Sequence, residues 1–350
     1  MSDRPSTPAC PLPFDPNELV HMMHGGGGRK MAQLIEQLFL PALRNAALEE
    51  LGDGAVFEVG DERIAFSTDT FVVSPPFFPG GNIGSLAVHG TLNDLAMCAA
   101  TPLALSLALV LEEGFPIADL ERIVASAGAA AAQAGVPIVT GDTKVVQRGK
   151  GDGVFVNCTG IGRVIAGTRV GPRNARPGDA ILVSGPVGDH GIAVMAARSG
   201  LSFAKELLSD SASVLPLVRQ LLEVCPETHA LRDATRGGLA TVLCEIADVS
   251  HVSMQIDEAL TPVRKEVEVA CELLGLDPLY VACEGRFVAF MPAEKADAAL
   301  AAVQGGPGGE GARIIGRVER PGEVPVLLRT RIGSRRRLER LSGEQLPRIC

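Results

Sequence analysis

Arg176-Pro177-Gly178-Asp179, followed by Ala180-Ile181-Leu182-Val183-Ser184, divides the chain. Pro, Gly and Asp in series make a turn, and the apolar run behind them has the length of a buried strand. A domain boundary is placed just before it, near 165–178. With 350 residues, 46% of them hydrophobic, the chain can build a core on each side. Upstream, 56–73 alternates as strands do, and 103–111 and 153–164 also read as strands. Segments 86–97 and 120–134 read as helices, the second closed by Gly135 and Pro137. Downstream, 192–198, 214–224, 239–248 and 263–274 read as helices. Strands are expected at 252–256, 287–291 and 312–318, with a loop at 305–311. This gives domains at 25–165 and 178–330.

The two ends differ from these domains. Residues 1–24, rich in Pro, Ser and Thr over 1–17, read as a disordered extension without the apolar core of a signal peptide. The stretch 332–350 carries Arg335, Arg336, Arg337 and Arg340 and no core pattern, so it reads as a mobile arm. Fully stretched, it would reach about 60 Å at ~3.3 Å per residue. It ends Pro347-Arg348-Ile349-Cys350. A terminal thiol with a cation nearby is a plausible chemical handle, and a frayed end is the plain alternative. A prenylation box would place its Cys fourth from the end.

Composition narrows the function. The chain has no Trp, one Tyr and a net charge of -9, which argues against nucleic-acid binding through stacking or phosphate contacts. A nucleotide can still bind if a divalent cation offsets its charge. The eight cysteines are scattered without a C-x-x-C pair, so neither a disulfide framework nor a zinc ribbon is indicated. The longest apolar run, 103–111, is too short to span a bilayer. A soluble cytoplasmic protein is expected.

Four aspartates sit among small residues in what read as turns or helix entries: Asp69, Asp94, Asp142 and Asp233. Magnesium takes carboxylate and phosphate oxygens, so these could together hold the metals on an ATP tail, or each could cap a helix or an Asx-turn. Gly25-Gly26-Gly27-Gly28 before Arg29 and Lys30 could wrap phosphates or act as a hinge, and Arg236-Gly237-Gly238 at a helix start is a second candidate anion site. Lys144 follows Gly141-Asp142-Thr143. Glu284, between Cys283 and Gly285, is either a desolvated base or half of a surface ion pair. His24, His89 and His190 lie beside glycines and are expected to make local hydrogen bonds.

Taken in order, these motifs resemble one family: His24-Gly25-Gly26-Gly27-Gly28-Arg29, Ser67-Thr68-Asp69-Thr70, Asn93-Asp94-Leu95-Ala96-Met97, Gly141-Asp142-Thr143-Lys144, Gly188-Asp189-His190-Gly191, Arg232-Asp233-Ala234-Thr235-Arg236-Gly237-Gly238-Leu239 and Cys283-Glu284-Gly285. It is the ATP-binding superfamily of aminoimidazole ribonucleotide synthetase and selenophosphate synthetase. With the Pro347–Cys350 tail added, the chain is similar to the hydrogenase maturation HypE family within it. The resemblance implies an α+β fold of two domains, with the N-terminal domains pairing into a β-barrel across a homodimer. It implies ATP and Mg²⁺ as cofactors, held by Gly26, Gly27, Gly28, Asp69, Thr70, Asn93, Asp94, Asp142, Thr143, Asp233, Arg236 and Gly237. Asp69, Asp94, Asp142 and Asp233 would be the metal ligands.

The implied reaction uses Cys350. A carbamoyltransferase partner, HypF, loads a carbamoyl group onto the thiol, and ATP-dependent dehydration turns the thiocarboxamide into a thiocyanate. The cyano group then passes to iron on a HypC–HypD scaffold complex, for [NiFe]-hydrogenase. Glu284 would be the base, and Lys144 would orient the oxygen. Two rivals stay open: a selenophosphate-synthetase-like kinase, and a non-enzymatic thiol carrier or metallochaperone, which would need no ATP turnover.

Overall fold

The computed structural model describes residues 19–200, 207–341 and 349–350. Residues 1–18, with most of the expected extension, and Pro347 and Arg348 lie outside them. The N-terminal part begins with α1 (Arg29–Leu34), a π-helical turn (Ile35–Phe39) and α2 (Leu40–Leu43). A five-stranded sheet follows, built from β1 (Ala55–Val59), β2 (Glu62–Phe71), β5 (Ala100–Glu112), β6 (Ile138–Val146) and β7 (Val154–Val164). A two-stranded ribbon, β3 (Phe77–Phe78) and β4 (Gly81–Asn82), stands apart. The large sheet runs β1-β2-β7-β5-β6. Within this sheet only the β5–β6 pair is parallel among the described residues, because the crossover helix α4 (Ile117–Ala134) joins them.

Helix α3 (Ile83–Met97) is the pivot of the molecule. Asn82 starts it by accepting the N–H groups of Gly84 and Ser85, and Ser85 answers with its hydroxyl, which completes a capping box. Its apolar residues face in nearly every direction, as a helix buried all round requires. It packs on β2, β5, β7 and α4, and also on β9 (Ala230–Asp233) and α6 (Leu215–Val224) of the second domain. At Gly84 a Cβ would lie 2.1 Å from the Ile123 carbonyl oxygen, so the close α3–α4 crossing needs glycine.

The second domain has seven strands: β8 (Asp179–Val183), β9 (Ala230–Asp233), β10 (Ser253–Asp257), β11 (Phe287–Pro292), β12 (Arg313–Glu319), β13 (Val326–Arg329) and β14 (Arg335–Arg337). Their order is β14-β13-β10-β12-β8-β11-β9. Strand β8 is buried along its whole length, which explains why it reads as an unbroken apolar run. The helices are α5 (Asp189–Ser199), α6 (Leu215–Val224), α7 (Gly238–Ser250), α8 (Lys265–Leu274) and α9 (Ala296–Gly305). The architecture is α+β in two domains.

Four expectations change. Asp69, Asp94 and Asp142 lie inside β2, α3 and β6, and only Asp233 ends its element. The small residues that suggested turns are there because neighbours come close: a Cβ on Gly141 would lie 2.1 Å from the Leu107 carbonyl oxygen across the β5–β6 pair. Strands β6, β9 and β13 and helix α9 were not anticipated, being short or poor in large apolar residues. The extension does not run to residue 24, since Met22–Gly25 forms a 3-10 turn with His24 buried. The arm is not free over its described residues: β14 joins the sheet, and Leu338 and Ile349 are buried.

Gly141→Ala should therefore push β6 away from β5 and lower stability by about 1–3 kcal/mol. A urea unfolding midpoint equal to wild type would contradict this strand register.

Candidate active site

Asp53, Asp94 and Asp233 come from three separate places: the loop before β1, helix α3 and the end of β9. They bring carboxylate oxygens within 4.8 Å of one another. Burial pushes Asp53 up to about 6, against the pull of Arg232. Burial first, then the neighbouring carboxylates, pushes Asp94 and Asp233 well above the usual range. Asp53 Oδ2 and Asp233 Oδ2 are buried without a hydrogen-bond partner among the described residues. Three such groups cannot all ionise without a cation, and a hard, all-oxygen donor set suits Mg²⁺. Arg232 braces the cluster from behind, 2.8 Å from Asp53 and 3.0 Å from Glu245.

The carboxylates line a cavity of about 230 Å³ with Gly27, Asp69, Thr235 and Arg236. A second cavity of about 520 Å³ adjoins it, sharing Gly27, Met31, Arg232 and Glu245, and is also lined by Ile35, Leu51 and Pro172. Gly27 adopts φ +73°, and a Cβ there would meet Arg236 at 2.9 Å. The glycine run thus lies directly over the Arg236-Gly237-Gly238 turn. Gly237, at φ +81°, caps α7. Arg236 reaches Asp69 at 3.4 Å.

The chain's own terminus occupies this region. Ile349 is buried, and its carbonyl accepts a 2.6 Å hydrogen bond from His190 Nε2. Cys350 is partly exposed as a residue, while its thiol is desolvated beside Glu284, Arg236 and Asp69. Burial holds that thiol well above its ordinary value; Arg236 opposes this, and Glu284 and Asp69 reinforce it. The docked tail therefore presents a neutral thiol. Among the described residues Arg236 is the cation at the sulfur, and desolvation outweighs it.

Glu284 is 2% exposed, so it is not half of a surface ion pair. Burial, with repulsion from Asp233, Asp69 and Asp210, keeps its carboxyl well above the usual range. Its main chain is clamped by the loop 209–214. Glu284 N–H donates to Asp210 Oδ1 at 3.1 Å, and its carbonyl accepts from Ala212 N–H and Asn93 Nδ2.

Two family models match the chain. AIR synthase related protein, N-terminal domain, covers 51–164, and the C-terminal domain of the same name covers 176–328. A carbamoyl dehydratase HypE from Cupriavidus necator is 56% identical over 95% of this chain and 95% of its own. The chain belongs to the HypE family. A solved structure of a hydrogenase maturation protein HypE in complex with ATP superposes with a TM-score of 0.80 at 49% identity, covering 93% of this chain and 98% of that one. The HypE of a HypE–HypF complex does so with a TM-score of 0.84 at 43% identity, covering 88% and 99%.

The family's motif residues fall into three groups in this structure. Asp69, Asp94, Asp233, Arg236, Gly27, Glu284 and Cys350 converge. Asn93 is at hand but points elsewhere: its Nδ2 donates to the Ala212 and Glu284 carbonyls, and its Oδ1 accepts from Val214 N–H. It braces the site with both amide hydrogens spent on main-chain carbonyls. Gly28 backs onto the Leu341 carbonyl, and Thr70 shares Asn157 Nδ2 with Thr68.

Asp142, Thr143 and Lys144 form the third group. They stand exposed on the edge strand β6, where Lys144 pairs with Asp142 at 2.9 Å and Thr143 N–H donates to Asp142. They line neither cavity, so within one chain Asp142 is not a fourth ligand of the cluster. The member that sequence reasoning missed is Asp53. Its setting, Gly52-Asp53-Gly54 ahead of a strand, is the same kind of signal that singled out Asp142.

The acid cluster makes a prediction about pH. Folding raises the Asp53 pKa from an unfolded value of about 3.9 to about 6. The folded state then binds the extra proton, so this contribution to stability is full below pH ~4 and is lost as pH rises through 6. Asp94 and Asp233, shifted in the same direction, extend the loss upward. Magnesium should remove it. The rise in melting temperature from EDTA to Mg²⁺ should be larger at pH 8 than at pH 5. Equal increments would mean that the cluster is not where the cation acts.

Proposed function

We propose that this protein dehydrates a carbamoyl group carried on its own Cys350 to a thiocyanate at the expense of ATP, as the source of the cyano ligand for the iron of [NiFe]-hydrogenase. The observation that carries this reading is the seating of Cys350 beside Glu284 and Arg236, the latter a wall of the acid-lined cavity. The relatives named carbamoyl dehydratase support it, as does a HypE solved with ATP.

Mg²⁺ at Asp53, Asp94 and Asp233, with Asp69 beside them, would hold phosphate oxygens and, by offsetting these carboxylates, bring Glu284 toward a useful range. The smaller cavity would take the phosphates under the glycine run and the larger one the nucleoside. The thiocarboxamide oxygen attacks the γ-phosphorus, the bond to the β-phosphate oxygen breaks, and ADP leaves. Nitrogen gives up two protons over the sequence. The carbon–oxygen bond breaks with its electron pair going to phosphate, and the C≡N bond is complete. The products are the thiocyanate, ADP, phosphate and a proton. Glu284 takes a nitrogen proton, and Arg236 offsets charge on the oxygen.

Lys144 would reach this site from a second copy. Phe57, Phe66, Leu103, Val139, Val145 and Ile161 leave apolar surface exposed on the N-terminal sheet, and β6 is one of its two edge strands. A homodimer closing these sheets into a barrel would cover that surface and carry Asp142 and Lys144 to the partner's cleft. HypF would load the thiol, and a HypC–HypD complex would receive the cyano group. No helix among the described residues is long and apolar enough to cross a membrane.

Intact-mass analysis with HypF, carbamoyl phosphate and Mg-ATP should show one carbamoyl group added on the C-terminal peptide, then one water lost. Glu284→Gln should load normally but lose water about 10²–10⁴-fold more slowly, the usual worth of a general base. Dehydration at the wild-type rate would reassign the base. ATP-independent behaviour throughout would favour a thiol carrier.

In mixed dimers of Lys144→Ala with Glu284→Gln chains, one intact composite site should form per dimer. Partial recovery of dehydration on mixing two inactive variants is the expected result. No recovery would place Lys144 in its own chain's reaction, and an active Lys144→Ala homodimer would place it outside the reaction.

A further inference from the structure

His190 is fully buried at the start of α5, and both of its ring nitrogens are engaged. Nε2 lies 2.6 Å from the Ile349 carbonyl oxygen, which can only accept, so Nε2 carries the proton. Nδ1 must then accept, and Ser209 Oγ, 2.8 Å away, supplies the hydrogen. Ser209 Oγ in turn accepts Ser211 N–H at 3.0 Å, which fixes the hydroxyl's direction. Phe78 meets the imidazole edge-on at 5.4 Å and sets the plane of the ring. Burial keeps the ring neutral, as this relay needs.

We infer that His190, oriented by Ser209, is a positioning residue that latches the main chain one residue before the reactive thiol. The inference deepens the proposed function and rests on it for its purpose. A main-chain carbonyl is a suitable handle, because it is unchanged whether Cys350 is free, carbamoylated or cyanated. Ile349 adds an apolar anchor in the cluster that holds Phe78, Val194 and Ala282. With the residue before it fixed, Cys350 is left only its own torsions, and its sulfur is delivered beside Glu284 and Arg236. The same loop that orients His190 clamps Glu284 through Asp210 and Ala212. Thiol carrier and base are therefore referenced to one segment, 209–212.

The test reads tail docking without ATP chemistry. The full-length protein, free of nucleotide, is treated with N-ethylmaleimide, and labelling is followed on the C-terminal peptide. Loss of one net hydrogen bond in His190→Ala should raise the labelling rate of Cys350 roughly 5-fold. His190→Gln keeps an N–H donor near the Nε2 position and should return the rate toward wild type, which a merely structural role would not produce. Ser209→Ala, a milder change at a half-buried site, should give an intermediate rate and serves if His190→Ala does not fold. In HypF-loaded protein, the same variants should slow water loss while loading stays normal. A Cys350 labelling rate at the wild-type value in folded His190→Ala or Ser209→Ala overturns the latch, and does so even if wild type dehydrates as proposed. Faster labelling, with rescue by Gln, upholds the latch even if the wild type shows no dehydration.

Discussion

Mutual repulsion among buried carboxylates is the constraint around which this molecule is organised. Asp53, Asp94 and Asp233 lie within 4.8 Å of each other at the meeting of two domains, and Asp69 and Glu284 add to the same field. Such an arrangement is costly for the isolated chain, and only a rigid frame keeps it in place. Helix α3 supplies the frame. It is buried on every side, carries Asp94 on one face, and from the adjacent Asn93 ties down loop 212–214 of the other domain. Arg232 supplies the counter-charge from the second domain, bonded to Asp53, Glu245 and the Leu51 carbonyl. The strain of the acids thus becomes affinity for whatever cation relieves it.

The tail adds a second electrostatic theme. In its docked position the thiol is desolvated among acids, so it rests as a neutral S–H group. Under the proposed function, a nucleophilic thiolate would be needed for loading and not for dehydration. Docking and reactivity would then be opposed, and the two half-reactions would be separated in space without any covalent switch.

Much of this was legible in the sequence. The turn at Arg176–Asp179, the helices that follow, and the buried run of β8 all obey local rules of turn chemistry and apolar period. Glu284 announced itself as a carboxylate among small apolar residues. What escaped depends on three-dimensional neighbours. Gly141-Asp142-Thr143-Lys144 reads as a turn because glycine usually breaks strands, whereas here it lets β6 approach the Leu107 carbonyl. Asp53 differs from Asp142 only in what surrounds it after folding, and no local signal ranks one above the other. Asn93 has the look of a ligand, yet its amide is spent on backbone partners more than a hundred residues away in sequence.

The pairing of β14 with β13, and the burial of Leu338, set a boundary of another kind. The anchors continue past Leu338: Glu339 meets Tyr280, Arg340 pairs with Asp248, and the Leu341 carbonyl accepts from Arg29 N–H. From there to position 350, nine residues can span at most about 30 Å at ~3.3 Å per residue. Under the proposed function, a loading enzyme and a receiving iron would each have to bring the reacting centre within that radius of Leu341, and the surfaces worth searching for both partners are those around it.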